Sequence, residues 1–534
     1  MTLPMVSALR NRLYADPKGV FVHDAILMKC RALPKQTCIV DTSELSGGRS
    51  RRITYGEYGD LVERAAAGFI AAGVRPGDVI GIYLFNCWEY PVAYHAATLA
   101  GGVPTLLNPS YREREVRFQL ENSGTTLLVS DAPQIAGINL GGLPRLRRIY
   151  TTRRHEGGNA TFAELLASRS LNPPRPDKSP EEALAALPYS SGTTGLPKGV
   201  MLSHLNLVVN AYQTIRPGEQ AGYCAEDVFL CFLPLYHIYG LNVVLNSVLL
   251  SGGRLVLMPR FDAQKASDVI IQEGITYTML VPPAMNALSV AAEQGVFPKK
   301  HSVRVTKCGA APLAPQVAER FERDTGIPIA QGYGMTEASP VTHLGFIEPE
   351  FYRPDSIGFP AFQTECRVLD EGGSEAAAGE SGELVMRGPQ FMSGYWKAPE
   401  ATAEVLHDGW YFSGDVARRD ERGFYFIVDR RKEMIKYKGF PMAPAEIEAV
   451  LLEHPAVRDC GIVGKADECA GEIPVAFVVL RDTQKASVQM QSELSGYVGE
   501  RLVNYKQPRE VRFVDSIPRN PSGKILRREL RSQL

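Results

Sequence analysis

Tyr189-Ser-Ser-Gly-Thr-Thr-Gly-Leu-Pro-Lys-Gly-Val200 packs two serines, two threonines, three glycines and one lysine into twelve positions. Glycines admit positive φ and let the main chain approach a ligand closely. Successive amide N–H groups then form a concave anion site. The hydroxyls add donors, and Lys198 offers a compact cation to a phosphate. The stretch reads as a polyphosphate cradle. It is not a Walker A loop, because Gly199 follows Lys198 where Ser or Thr is required. An ordinary Ser/Thr/Gly surface turn is the plainer alternative, and the rest of the chain decides between them.

On either side of the stretch, strands alternate with helices. Upstream, 78–85 and 103–107 read as buried strands, 90–100 and 112–121 as helices, and 125–130 as a strand. Downstream, strands at 229–233, 254–258, 276–281 and 303–307 alternate with helices at 241–250, 263–273 and 316–325. This rhythm predicts an α/β fold with parallel-rich sheets covered on both faces. After about 355 the texture shifts to short β-like runs at 366–369, 382–386 and 424–428, which predicts an antiparallel, β-barrel-like subdomain. A dense basic segment, Arg430-Arg-Lys-Glu-Met-Ile-Lys-Tyr-Lys438, follows where a hinge belongs. Beyond it, helix 443–453, strands near 460–463 and 474–480, helix 493–503 and strand 511–515 make a small α+β unit. Two domains are expected: a large one, 1–430, and a small mobile one, 431–534.

The 534 residues carry 58 Lys+Arg against 59 Asp+Glu, a net charge of −1, which gives no reason to expect nucleic acid or an anionic membrane as partner. Any attraction for phosphate must be local. The nine cysteines show no C-x-x-C spacing and no Cys/His cluster, so free thiols in a reducing cytosol are expected. The most apolar helix, 241–250, is too short to span a bilayer. Ser532-Gln533-Leu534 lacks the basic residue of a peroxisomal address.

Several other stretches carry chemistry. In Gln331-Gly-Tyr-Gly-Met-Thr-Glu337, Gly332 and Gly334 allow close backbone approach and Tyr333 offers a flat face to a purine. Thr336 and Glu337 offer oxygens to Mg²⁺, which takes one or two protein oxygens plus phosphates. A strand–turn with a buried tyrosine is the alternative. Gly309-Ala310-Ala-Pro-Leu313 leaves room for an adenine ring. Trp410-Tyr-Phe-Ser-Gly-Asp415 puts a carboxylate after a tight turn, suited to a ribose diol, and Val428-Asp429-Arg430 brings an arginine toward the same nucleotide. Ser522-Gly523 forms a flexible tip able to project Lys524 into a site on another domain. Small Gly240 is expected to deepen a substrate tunnel. His237, in Leu233-Pro-Leu-Tyr-His237-Ile-Tyr239-Gly240, is read first as a structural hydrogen-bonding residue.

Taken together, Ser-Ser-Gly-Thr-Thr-Gly-x-Pro-Lys-Gly, Gly-Tyr-Gly-Met-Thr-Glu, Ser-Gly-Asp415 and Pro518-Arg-Asn-Pro-Ser-Gly-Lys524 resemble, in order, the signatures of the adenylate-forming enzymes. The tone is that of 4-coumarate–CoA ligases and fatty-acyl-CoA ligases. The resemblance implies ATP, Mg²⁺ and coenzyme A, and an acid turned first into an acyl-adenylate and then into an acyl-CoA. It implies that Ser190, Ser191, Gly192, Thr193, Thr194, Gly195 and Lys198 hold phosphates, that Thr193 and Glu337 face Mg²⁺, and that Ala310, Gln331, Gly332, Tyr333, Thr336, Asp415 and Arg430 surround AMP. Lys524 is implied to bridge the carboxylate and the α-phosphate. Lys432 serves as pivot, Lys436 as a further nucleotide contact, and Arg260, Lys438 and Gly439 as CoA contacts. His237 borders the tunnel between carboxylate and thiol.

Tyr239, Lys307, Ala310, Gly332, Pro340 and Val341 match positions lining the acid pocket of the plant ligases, and Lys307 is placed to meet a phenol oxygen. Ser413 stands where the family has Thr, and Pro441 where those ligases have Gln. An aromatic, hydroxycinnamate-like acid or a medium-chain acid is expected. Three rivals share these features: a luciferase-like oxygenase, an enzyme loading a carrier-protein thiol, for which no carrier domain follows residue 534, and an ATP-sensing binder without turnover.

Overall fold

The computed structural model describes residues 19–43, 50–153, 159–168, 177–190, 197–215, 221–438, 440–467, 470–483, 486–520 and 523–534. The expectations for Ser191, Gly192, Thr193, Thr194, Gly195, Gly439 and Ser522 lie outside these residues.

Two parallel-rich sheets form the body of the chain. In one, the order is Phe359–Pro360, Val341–Leu344, Ile329–Gly334, Val305–Cys308, Tyr277–Leu280, Val228–Cys231, Arg254–Leu257, Thr37–Asp41, Arg51–Thr54. Its inner strands run parallel and its edges antiparallel. The other runs Gly394–Tyr395, Lys198–Ser203, Leu184–Ser190, Val103–Leu106, Val79–Tyr83, Thr125–Ser130, Arg148–Thr151, Ala160–Thr161. Thr125–Ser130 is buried at every residue, as a parallel strand covered on both faces must be. The helix Glu89–Leu99 is also buried at every residue, so it lies between layers rather than on the surface. Its polar His95 is reconciled with burial by Tyr58 and Asn246, at 2.6 and 3.0 Å from its two ring nitrogens.

The expected antiparallel region is a five-stranded sheet of Glu365–Leu369, Ser381–Arg387, Trp410–Arg419, Leu406–His407 and Tyr425–Arg430. The small domain follows, with the strands Ile435–Tyr437, Phe440–Met442, Val457–Asp467, Gly471–Leu480 and Glu510–Phe513, and the helices Pro444–Glu453, Val488–Gly499 and Arg527–Arg531. Among the described residues, no hydrophobic cluster mixes side chains from the two sides of residue 431. No helix of the described residues is long and apolar enough to cross a membrane.

Three expectations need correction. The helix expected at 241–250 begins earlier, as a π-helical segment Tyr239–Asn246 continued by Ser247–Ser251. The helix expected at 493–503 is Val488–Gly499, started by the Ser487 side chain, which accepts the Met490 N–H. Gly240 does not deepen a tunnel: a Cβ there would sit 2.2 Å from the Pro234 carbonyl oxygen, so main chain fills the space.

Candidate active site

The described ends of the phosphate stretch lie on two neighbouring strands. Leu184–Ser190 and Lys198–Ser203 pair antiparallel, with Tyr189 opposite Gly199 and Ser190 opposite Lys198. Gly394–Tyr395 adds a third strand, opposite Val200 and Met201. The close fit explains Gly199, where a Cβ would approach Trp396 Cβ to 3.1 Å and the Tyr189 ring to 3.2 Å. Lys198 Nζ stands 5.2 Å over the Tyr395 ring, a cation–π contact that aims its ammonium along this wall.

Glu337 sits in the turn Thr336–Ala338, just past the strand Ile329–Gly334, and is 8% exposed. Gly334 lets the chain bend there, since a Cβ would lie 2.0 Å from Pro340 O. The Ser190 hydroxyl donates to Glu337 Oε1 at 3.2 Å, and the Tyr395 hydroxyl donates to the same oxygen at 2.8 Å. Both bonds fall on Oε1, leaving Oε2 the oxygen fitted to Mg²⁺. A buried carboxylate pinned by hydroxyl donors, beside Lys198, has the donor chemistry a Mg²⁺–phosphate group requires.

A second cluster lies at Asp415, which is 5% exposed. The Tyr333 phenol donates to Asp415 Oδ2, and Arg430 Nε stands 3.2 Å from Asp415 Oδ1. Strand pairing sets Asp415 opposite Arg430. The Ser413 hydroxyl accepts the Asp415 N–H at 3.1 Å and donates to Leu384 O at 2.6 Å, so serine is enough to fix the turn. Ala310 is exposed with φ of 72°, a strained value for a residue with a Cβ. Gln331 spends its side-chain N–H on Pro354 O.

Lys524 reaches this cluster from the small domain. Gly523, at φ 84°, lies so close to the large domain that a Cβ would meet Pro283 Cδ at 3.0 Å and Val281 Cβ at 3.6 Å. Asn520 braces the tip, its Oδ1 accepting the Lys524 N–H at 2.9 Å. Burial, reinforced by the Arg430 charge and opposed by Asp415 and Glu433, pulls the Lys524 ammonium down to about 8. The other expected small-domain residues are not brought here. Lys432, Lys436 and Lys438 are exposed, and Lys438 Nζ lies 5.7 Å over the Tyr437 ring. Arg260 is exposed too, 4.7 Å over Phe85.

The expected acid pocket gathers near the carboxyl end of Val305–Cys308. The Tyr239 hydroxyl donates to Lys307 O at 3.4 Å, and its ring lies 3.8 Å from the place of a Gly309 Cβ. A Cβ on Gly332 would meet His343 O at 3.7 Å and Cys308 O at 4.0 Å, ordinary van der Waals contact, so a small side chain would fit there without strain. Pro340 and Val341 are buried, and Asn210 brackets Val341 by accepting its N–H at 3.1 Å and donating to its carbonyl at 2.7 Å. His237 Nδ1 accepts the Tyr239 N–H at 3.2 Å, and burial lowers the ring to about 4, so it is neutral with its proton on Nε2. The Lys307 ammonium donates to Thr214 O at 3.0 Å and lies 4.4 Å over the Tyr223 ring. Burial, then the Arg304 charge, holds it well below the ordinary lysine range.

A family model described as AMP-binding enzyme matches residues 28–396, and one described as AMP-binding enzyme C-terminal domain matches 446–524. The chain belongs to the adenylate-forming, AMP-binding enzyme family. Among similar curated proteins, 4-coumarate–CoA ligase 3 of Oryza sativa subsp. japonica is 38% identical over 93% of this chain and 89% of its own length. 4-coumarate–CoA ligase 1 of Arabidopsis thaliana is 36% identical over 97% and 93%. Among solved structures, ATP-bound MatB from Rhodopseudomonas palustris superposes with a TM-score of 0.86 at 27% identity, covering 96% of this chain and 99% of that one. A benzoate CoA ligase from Burkholderia xenovorans LB400 gives 0.85 at 25% identity, covering 96% and 100%.

For a member of this family, the sequence reading passed over Tyr395, which touches both Glu337 and Lys198. The available signal was Gly394 followed by two aromatics, Tyr395 and Trp396. It also passed over Val281 and Pro283, the receiving surface for Gly523.

Proposed function

We propose that this enzyme is an AMP-forming acid–CoA ligase whose acid is aromatic and hydroxycinnamate-like. In the first step a carboxylate oxygen attacks the α-phosphorus of ATP and pyrophosphate leaves, giving the acyl-adenylate. Lys198 and Ser190 neutralise and hold the phosphates, Asp415 accepts from the ribose, and Tyr333 flanks the adenine. Mg²⁺, when bound at Glu337, offsets phosphate charge. Lys524 binds the carboxylate and the α-phosphate while negative charge builds between them. In the second step the CoA thiol sulfur attacks the acyl carbonyl, AMP leaves, and the thiol proton passes to solvent.

The observation that carries this reading is the close approach of Gly523, in the small domain, to Pro283 and Val281 of the large one, which brings the adjoining Lys524 within the electrostatic reach of Arg430 and Asp415. Lys438, the small domain's thioester-step residue, stands exposed in the same arrangement, as a two-faced small domain requires, and Arg260 of the large domain is exposed too. Domain alternation then turns about Lys432, at a boundary near 431 where the hydrophobic clusters separate. Motions of this kind, which remake one closed site into another, are hinge closures.

The aromatic acid is favoured by Tyr239 and Lys307, which match acid-pocket positions of the plant ligases and meet through the Tyr239 hydroxyl on Lys307 O, and by relatives named as 4-coumarate–CoA ligases. The motive for an alkyl tunnel at Gly240 is gone, since Pro234 O occupies that space. The cytosol is the proposed compartment, consistent with free cysteines among the described residues. The test is pyrophosphate release over a panel of aryl and alkyl acids, with and without CoA. The reading expects release with 4-hydroxycinnamate and, once CoA is added, its thioester. Adenylation without any CoA thioester would point to a carrier-protein acceptor instead.

A further inference from the structure

We propose that Asn122 is a positioning residue for the Mg²⁺–triphosphate site, holding from outside the two strands that grip Glu337 from inside. The inference rests on the reading that Glu337 receives Mg²⁺. Two pairs of consecutive residues carry it. Ser190 and Tyr395 both donate to Glu337 Oε1. Their chain neighbours turn elsewhere, Tyr189 by the alternation of side chains along its strand and Trp396 in the turn just past Tyr395. Both meet Asn122. The Tyr189 hydroxyl donates to Asn122 Oδ1 at 2.6 Å, and Trp396 Nε1 donates to Asn122 O at 3.1 Å. Lys397 Nζ donates to that same carbonyl at 2.7 Å.

Asn122 sits in the last turn of the helix Glu113–Ser123, whose terminal carbonyls have no partner within the helix. The side chain and main chain of one residue therefore fasten the first and third of the strands Leu184–Ser190, Lys198–Ser203 and Gly394–Tyr395. Between them, Gly199 leaves Tyr189 and Trp396 in contact distance of one backbone position. With the outer pair fixed, the inner pair cannot spread, and Glu337 keeps Oε1 engaged and Oε2 turned to the metal side.

Asn122→Ala removes Oδ1 and keeps the carbonyl, so it cuts the Tyr189 bond alone. Tyr189→Phe cuts the same bond from the other end and removes only one oxygen. Asn122→Asp restores an acceptor. The experiment is calorimetric titration of ATP at a series of Mg²⁺ concentrations, with the KM for CoA measured alongside.

Asn122→Ala and Tyr189→Phe should each raise the Mg²⁺ concentration that half-supports ATP binding by roughly three- to tenfold, the scale of one lost neutral hydrogen bond. The double variant should lose no more than either single one. Asn122→Asp should stay near wild type, and the KM for CoA should not move. An unchanged Mg²⁺ midpoint in Tyr189→Phe, which keeps the ring packing, overturns the proposal. So do losses that add in the double variant. A wild-type protein that binds no ATP at any Mg²⁺ concentration overturns the ligase reading, and this inference with it.

Discussion

Gln316 of the large domain donates from Nε2 to Oε1 of Glu453 in the small domain at 2.7 Å. Together with the Ala445 N–H on Asp429 Oδ2 at 3.0 Å, this bond fixes which face of the small domain is turned inward. It belongs to the arrangement with Lys524 in the site, and a rotation that brought Lys438 inward would break it. A hydrogen bond to a charged group contributes about 1.5–3 kcal/mol at most, less where exposed. Gln316→Ala should therefore slow adenylation about two- to fivefold and leave acyl transfer from supplied acyl-adenylate equal or faster. Stopped-flow assay of each half-reaction reads this. Equal slowing of both steps would show that the contact supports folding rather than one orientation.

The low value at Lys524 gives a pH signature. Its ordinary value is 10.5 and burial lowers it to about 8, so the charged form is lost as pH rises through 8 rather than through 10.5. The proposed task needs the charge. The kcat/KM for ATP in adenylation should thus fall roughly tenfold per pH unit above about 8. Acyl transfer from supplied acyl-adenylate should lack this limb, because Lys524 has left. Lys524→Arg, which stays charged throughout, should lack it in both steps. A limb at pH 8 that persists in Lys524→Arg belongs to another group.

Lys307 offers a test of the acid. It is buried and donates to Thr214 O, and a phenol oxygen bound beside it would share that ammonium. Lys307→Met preserves length and suits the surrounding tyrosines. It should reduce kcat/KM for 4-hydroxycinnamate about tenfold more than for cinnamate, as expected for one lost hydrogen bond of about 1.4 kcal/mol. Equal losses for the two acids would make Lys307 a core residue with no part in recognition.

What the sequence disclosed follows from how local each signal is. Thr125–Ser130 was legible to the residue because Leu127-Leu-Val129, preceded by two β-branched threonines, stands between Gly124 and Asp131, which break the pattern at both ends. The π-helical Tyr239–Asn246 was not, since nothing in the 3.6-residue pattern marks the extra residue in its turn. Gly240 was misread because smallness in a sequence does not say whether ligand or main chain fills the space, and here Pro234 O fills it. Glu337 stood out by its motif. Its partner Tyr395, 58 residues away, and Asn122, 67 residues from Tyr189, are joined only by sheet pairing that no single stretch encodes.

The most direct test of the central claim is Lys524→Ala assayed in the two half-reactions separately. Removing one preorganised charge from a transition state costs on the order of 10²–10³ in rate. Formation of acyl-adenylate from acid and ATP should fall by that amount. The same variant, given presynthesised acyl-adenylate and CoA, should make acyl-CoA at a near wild-type rate. A variant equally slow in both assays would contradict a small domain that presents two faces in turn, and one unimpaired in both would reduce Lys524 to part of a basic tail.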